Sequence, residues 1–196
     1  MASLLSVAEH HSCFMTHQSA RLVCHPDFAS TAVDRIDVRF FAGRHRTLSV
    51  VFSAEGAIAG VRVPPPATPR RADGLWRHTC FEAFVGRANS RAYFEFNFAP
   101  SGEWAAYAFR DYRDRDAFEF HLEPGITARV ADDRLQLDAL VPLDACSFAP
   151  GEALRIGLSA VIEEQSGSLT YWAVRHPTGR PDFHQPEGFA LQLLWV

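Results

Sequence analysis

The chain has no lysine: all 19 of its basic residues are arginine. Schiff-base chemistry on a lysine, a P-loop lysine and every Ser–Lys dyad are thereby excluded. Nor is there a basic excess. The formal net charge is −4, so little is present to neutralise a phosphate backbone, and no nucleic-acid partner is expected. Cysteine is sparse. Cys13, Cys24, Cys80 and Cys146 are widely spaced and form no C-x-x-C, which gives no support for a zinc ribbon or a redox pair. An even count permits two disulfides, but a chain of 196 residues does not need them to hold a core. No apolar run approaches the length of a membrane-spanning helix. The opening MASLLSVAEHHSCF has neither a basic n-region nor a useful apolar stretch, so no signal peptide is read. These absences predict a reduced, soluble, cytoplasmic protein with no membrane partner. Catalytic templates are missing too: G-x-S-x-G, H-E-x-x-H, G-x-G-x-x-G and the P-loop do not occur.

What is present is strand pattern. Hydrophobic residues make up 47% and charged residues 21% of the chain, an ordinary globular balance. IDVRFF (36–41) and TLSVVFSA (47–54) alternate with β-branched and aromatic residues, as half-buried strands do. WRHTCFEAFV (76–85) reads as a strand with Phe81, Ala83 and Val85 on one face and Trp76, His78, Cys80, Glu82 and Phe84 on the other. RAYFEFNF (91–98) sets Phe94, Phe96 and Phe98 against Tyr93, Glu95 and Asn97. PSG at 100–102 turns the chain into EWAAYAFR (103–110). Further strands are expected at 118–122, 126–131, 134–141, 154–163, 169–174 and 189–195. VPPPATPRR (63–71) cannot sit inside a sheet, and it reads as a long loop rather than a linker between domains. Many short strands without a long helical pattern predict an all-β fold, a single antiparallel β-sandwich of roughly a dozen strands, immunoglobulin-like or jelly-roll-like.

Two regions carry candidate chemistry. The face bearing Trp76, Glu82, Tyr93, Glu95 and Asn97 mixes rings with hydrogen-bonding groups at strand spacing. Sugars suit such a surface, because their C–H faces stack on rings and their hydroxyls seek donors and acceptors. The competing reading is a solvated sheet face with scattered aromatics. Glu82 and Glu95 could also form a carboxylate pair for glycoside hydrolysis. The second region is YWAVRHPTGRPDFHQPEGF (171–189), where Trp172, His176, Asp182, Phe183 and His184 crowd a segment broken by proline and glycine. Loops at the end of a rigid sandwich often bind ligands. Alternatively, the histidines bond the backbone and Trp172 and Phe183 plug the core. His176, Asp182 and His184 match no established metal spacing. Asp111, Asp114 and Asp116 are interleaved with arginines and read as a salt-bridged loop rather than a calcium site.

LWRHTCFEAFV (75–85), YFEFNFAPSGEWAAYAFRDYR (93–113) and HPTGRPDFHQPEGFAL (176–191), taken together, resemble the bacterial DOMON-like proteins related to family 9 carbohydrate-binding modules. The resemblance covers the chain after about residue 15, with 1–14 as a poorly ordered extension and 15–196 as the DOMON-like sandwich. It implies a non-catalytic binding module that clamps a sugar between two rings. Trp76 corresponds to the first ring and Glu82 to a carboxylate beside it. Trp172 is the choice for the second ring, with Phe183 as the substitute, and Asn97 and Arg110 are the implied polar partners. The implied ligand is a small sugar or a nucleotide-sugar. No cofactor is expected, although calcium binds some of these modules and haem binds other DOMON relatives through Met and His. Met1 and Met15 are the only methionines available for that role. The remaining alternatives are a haem or cofactor carrier and a glycan-active enzyme using Glu82.

Overall fold

A computed structural model describes residues 17–43, 45–121 and 123–196. The proposed extension at 1–14, Cys13 and both methionines lie outside the described residues. Twelve strands follow in chain order: β1 (Gln18–Cys24), β2 (Val33–Gly43), β3 (Thr47–Gly56), β4 (Cys80–Arg87), β5 (Tyr93–Phe98), β6 (Trp104–Asp111), β7 (Asp114–Arg115), β8 (Gly125–Val130), β9 (Arg134–Pro142), β10 (Ala153–Glu163), β11 (Leu169–Ala173) and β12 (Leu191–Leu194). Every strand pairing is antiparallel. One layer of the sandwich runs β1-β2-β3-β9-β8 and the other β7-β6-β5-β4-β10-β11, with β12 also on β10. β1 belongs to both. Its residues from Gln18 to Leu22 pair with β2, while Val23 and Cys24 pair with β11. Among the described residues no helix is long and apolar enough to cross a membrane.

Alternation explains the first layer. Leu48, Val50, Phe52 and Ala54 of β3 and Leu135, Leu137 and Val141 of β9 are wholly buried. Outward residues of the layer carry ion pairs, such as Arg21–Asp37 between β1 and β2 and Arg134–Glu55 between β9 and β3. The layers meet where Phe52 of β3 lies 5.0 Å, centroid to centroid, from Phe81 of β4. Full burial of one such phenylalanine is worth about 2–3 kcal/mol. The second layer differs, because its centre is buried on both faces. Phe81, Ala83, Val85, Phe96 and Phe98 enter the main core. Phe84, Tyr93, Tyr107 and Phe109 point the other way into a second apolar cluster with Phe189, which comes from the segment after β11. Cys24, Cys80 and Cys146 are free thiols.

Two expectations need correction, and one strand is new. Residues 118–121 form no strand, and residue 122 lies outside the described set. Phe118 and Phe120 do alternate, but they pack edge-on against each other at 4.9 Å and Phe120 caps Phe96 at 5.6 Å. The alternation closes one margin of the core without a partner strand. β1 was not anticipated, because Leu22 is its only fully buried residue. The strand read at 76–85 begins at Cys80. Gly74 adopts φ +76° and turns the chain into a 3-10 turn, Leu75–Arg77. That left-handed conformation favours glycine, and it lifts Trp76 out of the sheet.

Candidate functional site

The outer face of the second layer is laid out by register. Ser159 of β10, Glu82 of β4 and Asn97 of β5 form one cross-strand row, and Phe84, Glu95 and Tyr107 form the next. The two glutamates are therefore diagonal neighbours on adjacent strands, within reach of each other. The segment after β11 crosses back over this face. Phe189 packs on Phe84 at 5.7 Å and on Tyr93 at 5.2 Å. The backbone approaches β10 so closely that a Cβ on Gly157 would stand 3.1 Å from the Gly188 carbonyl oxygen. His184 sits edge-on to Phe84, Tyr93 and Phe109, with centroids 5.0–5.8 Å away.

Beside this strap a cavity of about 850 Å³ remains open. Glu82, Glu95, Tyr107 and Phe109, all buried, form its floor. One wall is the turn carrying Asp73, Gly74, Trp76 and Arg77. The opposite wall is Arg180, Pro181, Asp182, Phe183 and His184, and Phe28 and Tyr171 complete it. The volume suits a small organic ligand.

Hydrogen bonds link the groups of the floor. The Tyr93 hydroxyl accepts from the Arg113 backbone N–H (3.2 Å) and shares a hydrogen bond with His184 Nδ1 (2.7 Å). His184 Nε2 faces Glu95 Oε2 at 3.6 Å. Burial, helped by the Arg113 charge, pushes His184 down to about 4, so the imidazole is neutral at physiological pH and this contact is no ion pair. Asn97 Nδ2 donates to Glu95 Oε1 (2.8 Å), and the Ser159 hydroxyl donates to Glu82 Oε2 (3.1 Å). Burial raises the pKa of both glutamates well above the usual carboxylate range, and for Glu82 the nearby Glu95 adds to it. Such a pair retains a proton where exposed glutamates have lost theirs. It therefore offers donor and acceptor capacity together.

The walls are held by charge. Asp182 accepts from the Tyr112 hydroxyl (2.5 Å) and Arg113 Nη2 (2.7 Å). Burial alone would raise its pKa, but these bonds outweigh it and hold the group below the usual range. The Tyr107 hydroxyl donates to Asp73 (2.7 Å), while burial, reinforced by that bond, lifts Tyr107 to about 12.

Of the residues picked from the sequence, Trp76, Glu82, Asp182, Phe183 and His184 line the cavity. Four do not. Trp172 is 3% exposed in the main core, with its indole N–H donating to Thr170 Oγ1. It alternates with Tyr171, so Tyr171 faces the cavity and the indole cannot. Asn97 is wholly buried beneath Glu95 and leaves its Oδ1 without a partner. Arg110 is exposed and ion-paired to Asp114. His176 donates from Nε2 to the Val23 carbonyl (2.8 Å). Sequence reading missed Asp73, Arg77, Tyr107, Arg113, Arg115 and Arg180. The alternation of β6 already placed Tyr107 and Phe109 on one face, whereas the arginines lie in turns or, for Arg115, in the two-residue β7, where no periodicity assigns a direction. Asp111 pairs with Arg91, and among the described residues no group of three or more His, Cys, Asp or Glu is arranged to hold a metal.

No family model and no curated protein matches the chain. Solved structures do. A Bacteroides uniformis protein assigned to carbohydrate binding is similar with a TM-score of 0.67 at 16% identity, over 93% of this chain and 87% of that one. A family 9 carbohydrate-binding module from Caldicellulosiruptor kristjanssonii in complex with cellotriose is similar with a TM-score of 0.55 at 11% identity, over 90% and 82%. The same kind of module in complex with glucose gives 0.55 at 12%, over 85% and 80%. At these identities the likeness is one of fold.

Proposed function

We propose that this protein is a non-catalytic binding module for a small sugar, held in the cavity between the Trp76 turn and the Phe183 wall. One observation carries the reading: two buried carboxyl groups share the floor of a sugar-sized cavity whose walls supply aromatic rings. The fold relatives solved with cellotriose and glucose support it. Sugar hydroxyls would replace water on Glu82 and Glu95, which can accept and, while one proton is retained, donate. Trp76, about half exposed, offers a ring face for the C–H side of the pyranose.

A monosaccharide buries few atoms, so dissociation constants of about 10 µM to 1 mM are expected. The test is titration calorimetry with glucose, galactose, mannose, N-acetylglucosamine and cellobiose, followed in parallel by tryptophan fluorescence. Saturable heat with at least one sugar, and a fluorescence change that Phe183→Ala weakens by roughly tenfold in affinity, is the expected outcome. No binding by any sugar up to about 10 mM would remove the reading.

The glutamate pair also favours a second reading, a glycan-active enzyme in which one carboxyl donates a proton and the other accepts one. Turnover of a chromogenic glycoside that disappears in Glu82→Gln would establish it. Binding without turnover leaves the module.

A further inference from the structure

The cavity is polarised. Its floor is acidic and buried, while its mouth carries Arg77, Arg113, Arg115 and Arg180, all exposed. Elsewhere the chain pairs most of its arginines with carboxylates, as in Arg62–Glu163 and Arg91–Asp111. At the mouth Arg113 pairs with Asp182, while Arg77, Arg115 and Arg180 make no ion pair with a described residue, although the Arg115 charge acts at longer range on Asp73 and Glu95. The two acids on the walls are already engaged. Asp73 is bound by Arg71 and Tyr107, and Asp182 by Arg113 and Tyr112. Two of the unpaired guanidiniums are also held in place over rings: Arg115 lies 4.4 Å from the Tyr107 centroid and Arg77 lies 5.3 Å from that of Trp76. Such ring contacts favour the cation by themselves, and they hold both guanidiniums beside the open cavity. Planar guanidinium groups lining one cavity are suited to a phosphate, whose oxygens accept paired N–H bonds.

We propose that the sugar carries a phosphate at one end, with its ring on the acidic floor and the phosphate among Arg77, Arg115 and Arg180. This deepens the sugar-binding reading and rests on it. A glycosyl phosphate and a nucleotide-sugar share that chemistry and differ in what extends beyond the mouth.

Calorimetry with matched pairs tests it: glucose, galactose and N-acetylglucosamine, each against its 1-phosphate and its uridine diphosphate derivative, with inorganic phosphate alone as a further probe. At least one 1-phosphate should bind about tenfold tighter or better than its parent sugar. The gain should shrink as ionic strength rises, because exposed charges are screened beyond about 10 Å at 0.1 M salt, while parent-sugar affinity holds. Arg180→Glu should abolish the gain, since Arg180 makes no ion pair that the substitution could break. Equal gains for the 1-phosphate and the uridine diphosphate derivative support a glycosyl phosphate; a further gain for the latter supports a nucleotide-sugar. Equal affinity for sugar and 1-phosphate overturns the proposal and leaves sugar binding intact. Inorganic phosphate binding as tightly as the 1-phosphates, with no sugar bound, overturns both.

Discussion

Glu82→Gln should raise the melting temperature at about pH 9 by about 4–8 °C and leave it nearly unchanged at about pH 4. At neutral pH the same change should weaken sugar binding by about tenfold or more. Glu82 is 2% exposed and its ionisation is disfavoured by burial and then by Glu95. The folded chain therefore keeps a proton that the unfolded chain has released. Wherever the folded state binds more protons, stability falls as pH rises, at up to about 1.4 kcal/mol per pH unit for each group. The fall begins as pH climbs through the ordinary glutamate range, and it ends once the raised native pKa has been passed. Glutamine resembles the protonated acid and does not titrate, so it removes that cost. A gain of about 2 kcal/mol gives the stated shift for a chain of this length. Differential scanning calorimetry across pH, with sugar titrations on the same samples, measures both effects. A melting temperature lowered at both pH values would show that the carboxylate supports the fold instead.

The second large effect separates two tryptophans. Trp172→Ala should cost about 3–5 kcal/mol, roughly 10 °C in melting temperature, because its indole fills the main core and bonds Thr170. Trp76→Ala should change the melting temperature by no more than about 2 °C, since an exposed side chain loses little burial, yet weaken sugar binding by about tenfold. Thermal unfolding and calorimetry on both variants decide it. If Trp76→Ala left every affinity unchanged, the indole would have no part in recognition.

These two residues also mark how far the sequence could be read. Period-two alternation placed Phe81 of β4 and Phe94, Phe96 and Phe98 of β5 toward the core and put Glu82, Phe84, Tyr93 and Glu95 on the opposite face, because a strand has only two directions for a side chain. It could not tell that this opposite face is roofed by the chain returning through Phe189, so it counted Asn97 as open although it is wholly covered. In the 171–189 segment it listed the right kinds of residue, but a one-residue choice between Tyr171 and Trp172 decides which ring meets the cavity. Trp172 looked like the binding ring because tryptophan suits sugars, but its phase along β11 sends it inward. Arg113 and Arg115 read as members of a solvated loop, since nothing local reveals that Arg113 pairs with Asp182, 69 residues on.

Both walls of the cavity, residues 73–77 and 180–184, stand outside the hydrogen-bonded ladders of the sandwich. Substitutions there touch little that holds the two layers together. Ligand preference in this scaffold can thus drift, or be redesigned, along two short stretches while the architecture beneath stays the same.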